Sequence, residues 1–187
     1  MLSGMDYAPD LWHDFAVTVG SLAGALTGLL FVALSIKGAA MEASIALRSR
    51  AAQTLVLFVT PAITAVVLVA PQPRIGTGVE LLVLAAISGA ALRVLDQRAG
   101  HDSQNSVARY IERASPNMVT AVLTGVAGFT LLLRGGGGLY WLIPAVLAGL
   151  VGGVINAWLF LLRIPGTIEP PQTGPPPQPA ETGPPVP

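Results

Sequence analysis

Hydrophobic positions in this chain come in long unbroken runs rather than in alternation. Phe15 to Ile36, Ala51 to Ala70 and Leu139 to Leu162 contain no charged side chain. Each is long enough to cross a hydrocarbon core, which takes roughly 20 helical residues at about 1.5 Å rise per residue. Asn117 to Leu133 is slightly shorter but carries no ionisable group, and Arg134 follows it as a snorkelling anchor. The weakest run is Ile75 to Leu95, in which only Leu81 to Leu92 is free of charge and Glu80 and Arg93 flank the apolar centre. Both charges lie near the ends, where a membrane helix tolerates them. The pattern predicts an all-α fold, a polytopic membrane helix bundle with five transmembrane helices over about residues 15–36, 51–70, 75–95, 117–133 and 139–162.

The basic residues test this arrangement, because short cytoplasmic loops are enriched in Lys and Arg. Five spans put the termini on opposite sides. With the N-terminus outside, the inner segments hold Lys37, Arg48, Arg50, Arg93, Arg98, Arg109, Arg113 and Arg163, and only Arg74 and Arg134 remain outside. Removing the third span would join Arg74 to the run from Arg93 to Arg113 and put Arg163 outside. The expected localisation is therefore the cell (inner or plasma) membrane, multi-pass, with the C-terminus cytoplasmic. Asp6, Asp10 and Asp14 precede the first span without any Lys or Arg, so that span does not read as a cleavable signal and is expected to stay in the mature protein.

Three organisational units follow. Residues 1–14 form an extracytoplasmic or interfacial start, with Asp10 as a candidate N-cap and Leu11 and Trp12 at headgroup level. Residues 15–163 form the membrane domain. Residues 164–187 turn abruptly to Pro, Gly, Thr and Gln, too poor in apolar side chains to build a core, and predict a disordered cytoplasmic tail with polyproline II character. Within the inner loops, Arg48 and Arg50 belong to the stretch Lys37 to Arg50, which reads as an interfacial helix leading into the second span. Arg109 and Arg113 occupy the polar side of a short amphipathic stretch whose apolar face is Val107, Tyr110, Ile111 and Ala114. All four arginines suit anionic lipid headgroups.

Small residues recur every four positions in two of the spans: Ala16, Gly20, Gly24 and Gly28 in the first, and Ala145, Gly149, Gly153 and Ala157 in the fifth. Such rows let helix backbones approach closely. The two rows are natural partners for each other, within one subunit or across an oligomer seam. A weaker version in the fourth span comprises Ala121, Thr124, Gly125 and Gly128. Pro61 falls mid-span and leaves the carbonyl of Leu57 without its helical donor, which predicts a kink, with Thr60 and Thr64 close enough to re-satisfy freed groups. Glu80 and Asn156 are the other intramembrane polar candidates, with Arg74 a candidate partner for Glu80.

Composition narrows the chemistry further. The chain has no cysteine, hence no disulfide and no thiolate site. Its formal net charge is zero, against a dominant nucleic-acid surface. Asp10, His13 and Asp14 share a helical face but fall short of a complete metal-ligand set. No H-E-x-x-H or G-x-S-x-G occurs, and the glycines at 135–138 are not followed by the Lys-Ser/Thr of a phosphate-binding loop. These features predict a non-enzyme with no cofactor and no catalytic or metal site, whose partners are the lipid bilayer and a membrane-protein partner or a second copy.

Trp12-His13-Asp14-Phe15, then Ala25 to Ser35 (ALTGLLFVALS), then Arg48-Ser49-Arg50-Ala51 leading into Thr54-Leu55, resembles a family of small, functionally uncharacterised actinobacterial polytopic integral membrane proteins. The resemblance covers about the first third of the chain and implies no catalytic residues. The functional expectation is an accessory or scaffold subunit packing against other membrane proteins, with a small-solute channel or transporter as the alternative.

Overall fold

A computed structural model describes residues 9–36, 45–99, 116–134 and 137–162. They form five α-helices and a short 3-10 turn: α1 Pro9–Ile36, α2 Ile45–Val69, α3 Arg74–Ala99, α4 Pro116–Leu133, the turn Gly138–Trp141 and α5 Leu142–Leu162. No strand occurs among the described residues. Four of the helices are long and apolar enough to cross a membrane, while α4, with 18 residues, is the short one. The expected third span, interrupted by charge at both ends, is one of the four, as a 26-residue helix. The proline-rich tail, the loop carrying Arg109 and Arg113, and residues 37–44 lie outside the described residues.

The helices alternate in direction. α2, α3, α4 and α5 close a ring in which each packs on the next and α5 returns to α2, while α1 lies against the outside of α2 and barely touches α5. At one end, Trp12 of α1 stands edge-on to Tyr140 of the α4–α5 turn, with ring centroids 5.3 Å apart. The α2–α3 connection occupies this end too, since the first turns of α1 line a groove with the last turns of α2. Chain reversal between α4 and α5 uses left-handed backbone at Arg134 (φ 59°), Gly137 (φ 100°) and Gly138 (φ 49°); the two glycines carry no Cβ penalty there.

The distribution of side chains is the reverse of a water-soluble bundle. The exterior carries Leu, Val, Ile and Phe, among them Leu29, Val66 and Phe31, all exposed. The interior takes in Thr54, Thr60, Thr64, Thr77, Ser88, Thr120 and Thr124 alongside Leu57, Phe58, Leu81, Leu92, Leu131, Leu139 and Leu142. An apolar exterior on this scale matches hydrocarbon as the surrounding solvent.

Several local expectations need correction. α1 begins at Pro9, so Asp10 lies inside the helix rather than at its N-cap; a proline in the first turn gives up an amide that has no helical partner anyway. α2 starts at Ile45, placing Arg48 and Arg50 on the helix itself. It runs through Pro61 to Val69, as expected of one span with an internal proline. Thr60 and Thr64 donate to the carbonyls of Val56 and Thr60, at 2.7 and 2.9 Å, and neither serves the Leu57 carbonyl that Pro61 leaves without an amide.

Candidate functional site

The two small-residue rows do not pair with each other, because α2 stands between most of α1 and α5. In α5 the row faces inward. Ala145 is buried, and a methyl built at Gly149 would lie 3.2 Å from the Leu57 carbonyl, the Pro61 ring and Thr120. One built at Gly153 would overlap the ring of Phe58. Pro61 is thus part of a packing notch: its ring and the carbonyl it frees on α2 receive the bare α5 backbone. Ala157 is half-buried farther along, beside Phe58 and Trp158.

In α1 the row divides. Ala16 is buried and Gly20 meets Ala65 of α2, with a Cβ-to-Cβ separation of 3.3 Å for a built methyl. Gly24 and Gly28 are exposed, and a methyl on either would meet nothing within 4 Å. The packing face of α1 instead drifts through Ala16, Val19, Ala23 and Leu30. A strict four-residue spacing overshoots the 3.6-residue turn by about 40° each time and rotates around the helix, so half of the row leaves the contact.

The closest small-residue seam joins α3 to α4. A methyl at Gly128 would come within 2.7 Å of the Gly78 carbonyl oxygen and 3.0 Å of the Leu82 amide nitrogen. Gly125 faces Ala85 and Gly89 faces Ala121, each at 3.5 Å for a built methyl. The positions 78, 82, 85 and 89 run antiparallel to 128, 125 and 121, so backbone meets backbone along the length of both helices. Sequence reading ranked the α4 row below the other two and passed over Gly78, Ala85 and Gly89. The signal was their spacing of seven and then four residues, which follows the helix better than strict fours.

Polar groups cluster at the two ends. Arg74 does not pair with Glu80: its Nε donates to the Leu131 carbonyl at 2.6 Å, capping the C-terminus of α4. Glu80 is exposed and accepts from Gln72 Nε2 at 2.9 Å. At the opposite end, buried Gln53 of α2 donates to Asp96 of α3 at 2.7 Å, a link between helices that hydropathy could not reveal. Asn156 is half-buried on α5, Arg48 is exposed and Arg50 half-buried. His13 and Asp14 are exposed, and among the described residues no group of three His, Asp or Glu comes together.

The interior offers little to a passing solute. Most buried hydroxyls bond back to a carbonyl one turn earlier, as Thr64, Ser88 and Thr124 do. The buried polar atoms without a hydrogen-bond partner among the described residues are Thr120 Oγ1 and Arg74 Nη2. Phe58 and the buried leucines fill the space between helices.

Comparison with known proteins finds no matching family model, no curated relative and no solved structure of significant similarity. The resemblance to small actinobacterial membrane proteins gains no support from them.

Proposed function

We propose that this chain is an accessory or scaffold subunit of the cell membrane, which docks against another membrane protein, or a second copy, through the outer face of α1. The observation that carries this reading is the open half of the α1 row: Gly24 and Gly28 are exposed, with no neighbour for a methyl on either. Within the span, α1 is the least covered of the four long helices. Close backbone approach along such a face is how helices associate where no hydrophobic force separates lipid from protein.

Affinity purification in a mild detergent, with mass spectrometry of whatever accompanies the protein at fixed stoichiometry, tests the proposal. Gly24→Leu should abolish that association, or the homo-oligomer, while leaving the thermal transition of the protein unchanged, because the leucine enters open space. A Gly24→Leu protein that keeps its partner at wild-type stoichiometry would sink the reading. Gly153→Leu cannot serve here, since it strikes Phe58 inside the bundle.

For orientation the reading is N-terminus outside and tail in the cytoplasm. Arg48, Arg50, Arg93 and Arg98 share one end of the bundle, against Arg74 and Arg134 at the other, and the positive-inside rule puts the richer end in the cytoplasm. A cysteine at exposed Pro71 should label from outside the cell and one at Thr173 should not. Outside labelling of Thr173 would refute this orientation.

The carrier reading keeps one supporting observation, the unpartnered Thr120 hydroxyl across Gly149 from the carbonyl that Pro61 frees. Solute flux by the purified protein in vesicles, lost in Pro61→Ala, would favour it. The filled interior and the want of buried ionisable groups within the described spans favour the accessory role.

A further inference from the structure

On the outer side of the bundle, α3 and α4 leave between them a groove of about 350 Å³. Its floor is Ala85, Gly89 and Ala121, its flank includes Met118 and Val122, and Arg93 stands at one end. The groove exists because the small-residue seam brings the two backbones so close that no side chain fills the cleft above them. From Ala85 to Arg93 it runs about 12 Å along α3.

Two features at the Arg93 end share one sign. Arg93 is exposed and, among the described residues, makes no hydrogen bond or ion pair. α4 opens at Pro116, and Met118, which borders the same groove, lies in its first turn. The first-turn amides of an α-helix lack intrahelical acceptors and carry the positive end of the helix dipole. A guanidinium and a helix N-terminus therefore flank the mouth of an apolar channel lying along the surface of a membrane-embedded bundle.

We infer that this groove binds one anionic phospholipid, with an acyl chain along Ala85, Gly89 and Ala121 and the phosphate between Arg93 and the first turn of α4. A transmembrane helix is a poor occupant, because it would bury the Arg93 charge against hydrocarbon. A phosphodiester answers that charge through charge-assisted hydrogen bonds. The site is separate from the α1 face and does not depend on any protein partner.

The test is lipid retention by the purified full-length protein in mild detergent, read by native mass spectrometry after incubation with phosphatidylglycerol or with phosphatidylcholine of the same chains. The wild type should retain one phosphatidylglycerol about tenfold more strongly than phosphatidylcholine, a ratio fitting one charge-assisted phosphate contact. Arg93→Gln should erase the preference. Ala90→Phe, on an exposed groove position, should weaken retention of both lipids, whereas Val154→Phe, on the exposed surface of α5, should change neither. Equal retention of the two lipids by the wild type would overturn the inference, as would an Arg93→Gln protein with the preference intact. So would displacement of the lipid by millimolar inorganic phosphate together with an unaffected Ala90→Phe protein, which would mark a site for free anions alone.

Discussion

Replacing Gly128 with alanine is expected to lower the stability of the bundle by about 3 kcal/mol, the upper part of the range for overpacking a close-packed site. The added methyl would come within 2.7 Å of the Gly78 carbonyl oxygen and 3.0 Å of the Leu82 amide nitrogen. These are backbone atoms, held by the hydrogen bonds of α3, and cannot rotate aside as a side chain would. Relief requires α3 and α4 to separate, which also loosens Gly125 on Ala85 and Gly89 on Ala121. In detergent the thermal midpoint should fall by about 10 °C, taking a few degrees per kcal/mol for a chain of this size. Gly24→Ala is the matched control, with the same chemistry on a helix of similar composition and open space around the methyl. A Gly128→Ala protein that melts with this control would refute the close α3–α4 crossing.

The second large effect is expected at Gly153. A methyl there overlaps the Phe58 ring, itself 2% exposed and enclosed by the core cluster. Phe58 also borders a cavity of about 230 Å³ that can take up part of a ring displacement, so Gly153→Ala should cost about 2 kcal/mol. Shrinking the partner should relieve part of that cost. Phe58→Leu alone leaves a cavity and destabilises, but the pair Gly153→Ala with Phe58→Leu should be more stable than the sum of the single losses predicts, with a coupling of about 1 kcal/mol. Strict additivity of the two changes in thermal unfolding would show that the ring does not rest on this glycine.

Most of the architecture was legible in the residues. Five apolar runs correspond to five helices, and even the run broken by Glu80 and Arg93 is a helix of full length, because charges near a helix end reach past the hydrocarbon and do not terminate the hydrogen-bond ladder. What periodicity alone does not contain is the neighbour. The rows on α1 and α5 have the same four-residue spacing, yet one half-faces outward and the other enfolds a phenylalanine ring and a proline. Which helix lies opposite, and at what height, is a property of the ring closure and not of either row. Gly78 illustrates this: it sits close to Arg74 and Glu80, at the edge of a span, and becomes significant only when the antiparallel register puts Gly128 against it. Likewise Gln53 and Asp96 are 43 positions apart, and their hydrogen bond follows from the α2–α3 hairpin. Activity was least legible, since ionisable side chains are sparse in the spans and the buried hydroxyls mostly bond back to their own helix.

The placement of α1 outside the closed ring has a consequence of parity. Helices α2 to α5 are even in number and alternate in direction, so the ring on its own begins and ends at the same level. The single added helix makes the count odd and puts the first turn of α1 at the level opposite the last turn of α5, beside the aromatic pair Trp12 and Tyr140. One appended helix thus separates the two outermost helix ends by the full height of the bundle, where the four-helix ring alone would keep them side by side.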